Sequence, residues 1–238
     1  MLEMDRQVVI FGNFNAITFN SIEQLNIIAK KYSLQFGAQP DIVLPQSKDF
    51  VQPIMLSQNQ MSISLPIRPV LNSSDGKIIV FLGSSRIHVE QKDADSNSFE
   101  DFKSMAIDII CQLLTLFNVS VNRVALNGQF SSGDAGIIDK QFDSVFKKSE
   151  LYNSSSKEWQ FRINTVEVDN KLGCELNKII TSSCVPVVSR EGGLNITLQK
   201  MYDYNTRVEN NKIFSIEEIR TFIDTATKYR EKVLKELV

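Results

Sequence analysis

The sequence predicts an α+β fold built from two tandem sheet-and-helix units, with a mostly antiparallel sheet. Three observations predict it. Three segments with a 3.6-residue apolar period open with the same serine-led cap. Runs of strand length, apolar or alternating, lie between them. A turn-rich stretch from Ser131 to Ser156 then separates an earlier group of elements from a later one. This gives an N-terminal unit over 1–136, a connecting segment with a short helix over 137–156, and a C-terminal unit over 157–238.

Taken in order, Gln7 to Phe19 reads as a long apolar strand. A helix follows from Ser21-Ile22-Glu23-Gln24-Leu25, with Ile22, Leu25, Ile28, Ala29 and Tyr32 on one stripe. Met55 to Ile67 ends in alternation, with Met61, Ile63 and Leu65 sharing a face. Asp75-Gly76 signals a hairpin turn into Lys77 to Leu82, and Ser85 to Glu90 is the next strand. The second helix opens at Ser98-Phe99-Glu100-Asp101-Phe102 and is apolar over a wide arc, so it should be the most buried; Asn118 suits its left-handed C-cap. The strand Val119 to Phe130 follows. Strand, helix, several strands, helix, strand is the order of a ferredoxin-like βαββαβ unit with an enlarged middle.

The later group begins with a short amphipathic helix near Ile138 to Phe146. Glu158 to Val168, Leu172 to Thr181 and Leu194 to Tyr204 then form an antiparallel meander, made irregular by Pro186 and Gly192-Gly193. The third helix opens at Ser215-Ile216-Glu217-Glu218-Ile219, with Phe214 and Ile219 placed as a hydrophobic staple. In all three helices the serine oxygen can accept an orphan N–H, and the acids face the positive end of the helix dipole. The shared opening is consistent with an internal repeat, although convergence on good capping explains it more simply.

Composition narrows the function classes. Of 238 residues, 42% are hydrophobic and 23% charged, with a net charge of −2. These values are ordinary for a globular chain and offer no general attraction to nucleic acid or anionic lipid. The N-terminus lacks a basic region ahead of an apolar core, and the most apolar helical run is too short to span a bilayer. A cytoplasmic location is expected. Cys174 and Cys184 could meet across a hairpin, but with Cys111 making the count odd, reduced thiols are the simpler reading.

Chemistry is scarce. His88 is the only histidine and sits in a strand with no nucleophile motif near it. No phosphate-loop or dinucleotide motif is present; the run Asn127 to Gly136 is glycine-rich but lacks the lysine, and reads as a connection. No metal or cofactor motif is legible. Arg123 stands on the strand face opposite Val124, Leu126 and Phe130, and reads first as a structural arginine, second as an anion site. Trp159, Phe161 and Ile163 alternate onto one sheet face, and Met201-Tyr202-Asp203-Tyr204 offers further interface material.

A late apolar helix leads into Val121-Asn122-Arg123-Val124-Ala125-Leu126. The second meander closes with Ile196-Thr197-Leu198-Gln199-Lys200-Met201-Tyr202-Asp203 before a long C-terminal helix. In these features the chain resembles a sporadically distributed group of uncharacterised bacterial proteins of similar length. That group is similar in outline to SecB-type sheet-and-helix chaperones. The resemblance implies a bacterial source and a sheet-and-helix outline, and it implies no settled activity.

The expectation is therefore a non-catalytic polypeptide-binding or assembly protein that uses an apolar sheet face, with Arg123, Trp159, Phe161, Tyr202 and Tyr204 as binding residues. The partner is another protein or the chain itself, and edge strands make a homodimer reasonable. The balance is against an enzyme. The alternative is a small-molecule or nucleotide-binding enzyme using scattered carboxylates and arginines, with Arg123 and Asp134 as its residues.

Overall fold

Two strands, β1 (Leu2–Gly12) and β6 (Val121–Ser132), pair antiparallel at the middle of the molecule. The other elements are built outward from them. The structure is a computed structural model and describes residues 2–41, 66–94, 98–145, 158–188 and 194–235. From β1 the chain runs through α1 (Ile22–Lys31), β2 (Leu34–Pro40), β3 (Ile67–Ser73), β4 (Ile78–Leu82), β5 (Arg86–Lys92) and α2 (Phe99–Phe117). From β6 it runs through α3 (Ala135–Val145), β7 (Trp159–Asp169), β8 (Cys174–Val188), β9 (Leu194–Thr206) and α4 (Ile216–Lys235). All nine strands belong to one sheet, in the order β2-β3-β4-β5-β1-β6-β9-β8-β7. Every pairing in it is antiparallel. The fold is α+β, and the two units share that sheet.

The two halves follow the same plan. Outward from the middle, β6-β9-β8-β7 repeats β1-β5-β4-β3, and α4 answers α2. The first half then carries one strand more. β2 pairs outside β3, whereas no described strand pairs outside β7. The first half thus keeps a ferredoxin-like plan enlarged by a hairpin, and the second half stops one strand short of it.

Period-2 alternation decides which side chains meet the helices. Val8 and Ile10, Ile87 and Val89, Val124 and Leu126 face α1, α2 and α4 in one continuous apolar core. α2 supplies its centre, with Ala106, Ile109, Ile110 and Leu113 fully buried. The opposite face carries Gln7, Arg123, Asn127 and Asp203, and no described helix packs on it.

Local signals explain most element ends. Ser98 Oγ accepts from Asp101 N at the start of α2, and Asn118 ends that helix at φ 47°. Ser215 makes a full capping box: its Oγ accepts from Glu218 N at 3.2 Å, and Glu218 Oε2 accepts from Ser215 N at 2.9 Å. Lys212 and those bonds hold the Glu218 carboxyl down at about 2. Ser21 departs from the expectation. Thr18 caps a 3-10 turn over Phe19–Ser21, and Ser21 Oγ accepts from Thr18 N, so the serine serves the turn and does not cap α1. Gly76 sits at φ 70° in the tight turn between β3 and β4, where its N–H meets Ser73 O.

Some elements differ from the sequence reading. β1 begins and ends earlier than Gln7 to Phe19; the chain turns after Gly12, and Phe14 and Ile17 are buried from a loop. β2 was not expected, since Gly37 and Pro40 depress its strand signal. Gly37 is needed there, because a Cβ would stand 2.9 Å from Val70. Pro186 lies within β8, opposite Ile196, and does not break it. Cys174 and Cys184 lie on the same strand, opposite Asp169 and Trp159, so no hairpin brings them together and both thiols are free. Most of the expected strand Met55 to Ile67 lies outside the described residues. Among the described residues no helix is long and apolar enough to cross a membrane.

The second edge and the open face

Among the described residues β7 is a long edge strand, with a regular inner side and no strand on its outer side. Eleven residues, Trp159 to Asp169, pair with β8 without a register shift. The strand contains no proline and no bulge, which are common means of blunting an edge. Its exposed apolar residues are unusual for solvent-facing backbone: Ile163 is 53% exposed, Val166 44% and Val168 65%. Trp159, Phe161 and Ile163 do share one face, the helix side. Trp159 and Phe161 stack at 6.0 Å, and Phe142 of α3 meets Trp159 edge-on at 6.2 Å. Both rings are half-buried.

Beside these residues a groove of about 500 Å³ opens between α3 and the end of α4. Phe161, Ile163 and Ile180 form its apolar floor, and Lys140, Lys200 and Lys235 stand around it. Ile163 and the lysines are the site residues that sequence reasoning underused. The lysines come from two helices and β9 and converge only in the fold.

Other expected site residues sit elsewhere. Tyr202 is 1% exposed and Tyr204 is buried completely. Tyr202 stacks on Phe130 at 5.6 Å, Tyr204 on Phe222 at 5.5 Å, and both hydroxyls meet carboxylates, Glu3 and Glu167. Burial pushes both phenols well up. In the folded chain neither ring is on a contact surface. Tyr202 and Tyr204 are part of the core instead, on the side of β9 that faces α4.

Arg123 braces two strands. Its Nε donates to Thr206 O at 3.1 Å, its Nη2 to Asn205 Oδ1 at 3.2 Å, and its guanidinium lies 4.7 Å over Phe11. Burial lowers its pKa against the pull of Asp203 and Glu209. Asp134 lies just past the other end of β6, where it caps α3 by accepting from Gly136 N and Ile137 N. The fold therefore does not bring Arg123 and Asp134 together. Asn127 to Ser132 belong to β6, so the glycine-rich run is mostly strand. A Cβ on Gly128 would lie 2.6 Å from Asp5 O and 2.7 Å from Tyr202 Oη; this glycine makes room for a tyrosine.

The open face holds a shallow polar cleft of about 430 Å³ around Asp203, with Asp5, Gln7, Asn127, Gln129 and Arg162 on its walls. Asp203 Oδ1 is buried and has no hydrogen-bond partner among the described residues. Burial pushes this carboxyl up, against the opposing pull of Asn205, Arg123 and Arg162. Among the described residues, no three metal-ligating side chains gather at one point.

No protein-family model matches the chain. No curated protein matches it either. Among solved structures, it is similar to the substrate-free duplicated taurocyamine kinase from Schistosoma mansoni, at 10% identity and a TM-score of 0.30. The match takes in 93% of this chain and 32% of that one, so the chain spans about a third of the kinase's length. A likeness of that size carries neither fold nor chemistry across.

Proposed function

We propose that this chain is a non-catalytic polypeptide-binding or assembly protein that receives an extended segment along β7. The observation that carries this is that no described strand pairs outside β7, at the position where the first half of the same sheet adds β2. A strand laid there gains main-chain hydrogen bonds, and its alternate side chains enter the groove over Phe161 and Ile163. The exposed Lys235 at the groove's rim favours an acidic residue in that segment.

Trp159 is the only tryptophan and lies on this strand, so its emission reports on the site. Titration with a synthetic peptide of alternating valine and glutamate is expected to change that emission saturably. A proline-interrupted peptide is expected to leave it unchanged. Phe161→Ser should weaken the binding by about tenfold, or about 1.4 kcal/mol. Emission indifferent to both peptides contradicts the reading.

The Asp203 cleft supports a second reading, a small-molecule or nucleotide-binding protein, because an unpartnered buried carboxylate oxygen invites a donor. A thermal-shift screen over nucleotides and divalent cations separates the two. Stabilisation of about 2.7 kcal/mol at a hundredfold excess over Kd would favour the second reading. The strand-addition reading predicts no such shift.

A further inference from the structure

We infer that the segment received along β7 is β7 of a second copy of this chain, so that two nine-stranded sheets join into one across a twofold axis. This rests on the strand-addition reading and names its partner. β7 runs antiparallel to β8, so a twofold axis normal to the sheet sets β7 antiparallel to itself and continues the alternation found in the whole sheet. Such a contact is isologous and closes at two copies. Within the chain, β1 and β6 already join the two half-sheets in this way, strand against antiparallel strand.

Register follows from side-chain chemistry. Opposite residues must share a face, so a self-pairing strand has to be centred on a residue. Centring on Arg162 opposes two guanidiniums, and centring on Glu167 opposes two carboxylates, both unfavourable. Centring on Asn164 avoids like charges. It sets Ile163 against Thr165, Arg162 against Val166 and Phe161 against Glu167, with Trp159 against Asp169. On the helix side it sets the partner's Glu167, held in its own chain by Lys178 and Tyr204, beside Phe161 at the groove, and the exposed Lys235 stands at the groove's rim. Ile163, Val166 and Val168, exposed in one copy, lose that exposure in both. β2, the other edge, suits such pairing less: it has seven residues, a glycine inside and a proline at its end.

The test is sedimentation velocity on the full chain over a wide concentration range, with two substitutions at the exposed axis residue. The wild type is expected to pass from monomer to dimer as concentration rises. Asn164→Lys and Asn164→Asp each place like charges face to face, and each should raise the dissociation constant at least tenfold. Mixing the two variants should restore dimers, because lysine then faces aspartate across the axis. Unfolding midpoints close to wild type show that each variant is folded. A dimer indifferent to both changes, or variants that fail to restore it on mixing, overturns the proposal. A monomer at every concentration also overturns it. If such a monomer still binds the valine–glutamate peptide, the strand-addition reading stands and only the partner is wrong; if it does not, both fall.

Discussion

Glu3→Met is expected to destabilise the fold by about 3–5 kcal/mol, the range for breaking a buried ion pair from one side. Glu3 lies at the start of β1, buried beneath α4, and receives two guanidiniums. Arg230 Nε donates to its Oε1 at 2.9 Å and Arg230 Nη2 to its Oε2; Arg6 Nη1 donates to Oε2 at 3.1 Å. Tyr202 reaches Oε1 at 3.4 Å. Arg6 in turn binds Gln91 of β5 and the Ser98 carbonyl at the start of α2. Arg230 lies 4.1 Å over the ring of Phe99. One carboxylate therefore ties the first strand, the last helix and the head of α2 together. Without it, two buried guanidiniums face each other with their shared acceptor gone.

At roughly 2–4 °C per kcal/mol for a chain of this size, Tm should fall by roughly 6–20 °C. Adding Arg230→Met to Glu3→Met should recover part of the loss, since one of the opposed charges is then removed. A double variant no better than the additive sum would mean that the cluster is a set of independent contacts.

The second large effect is a loss of stability on acidification, carried by His88. The ring is mostly buried, stacks on Phe81 at 5.2 Å, and is held at a pKa of about 4 by burial and by the neighbouring Arg86. An unfolded histidine takes its proton near 6.5. Between those values the unfolded chain binds more protons than the folded one, so stability rises with pH across this window and is lost as pH falls through it. The full difference corresponds to about 3 kcal/mol. Asp5, Glu90 and Asp203 have raised values, each first through burial, and act in the opposite direction. Their stabilisation is present at low pH and declines as pH rises through their folded values. Urea unfolding of wild type and His88→Gln from pH 7.5 to 4 separates the contributions, because the carboxyls are common to both proteins. The wild type should lose about 3 kcal/mol more than the variant. Parallel curves would place the imidazole in a solvated site.

Much of the architecture was legible because its causes are local. Ser98 and Ser215 cap the helices they precede, Asn118 closes α2 in the left-handed region, and Gly76 turns the β3–β4 hairpin. The alternation of Val124, Leu126 and Phe130 assigned the inward face of β6 correctly. What failed depended on what lay above or beside a strand. β2 is weak by composition and exists because β3 offers it an edge. Tyr202 and Tyr204 share a phase with Phe130 and Leu126, which becomes evident only once β6 and β9 are placed in register. Arg230 left a signal that went unused: it occupies the apolar stripe of α4, one turn after Ala226 and just before Val233. A charge on a stripe otherwise made of Ile219, Phe222 and Ile223 implies a buried partner, but nothing in the sequence pointed to Glu3, at the other end of the chain. The β7 edge could be read as an aromatic strand and not as an edge, because edge position belongs to the whole sheet.

The outer backbone of β7 is the pairing surface on which the proposed function depends. Hydrogen exchange of the β7 amides, followed residue by residue in dilute and in concentrated protein, addresses it directly. The alternate β7 amides that point away from β8 are expected to exchange fast when dilute and to become protected as concentration rises, while the β8-facing amides are protected throughout. Outward amides that exchange freely at all concentrations would contradict it. So would amides protected equally at all concentrations, because the edge would then already be covered by the chain itself.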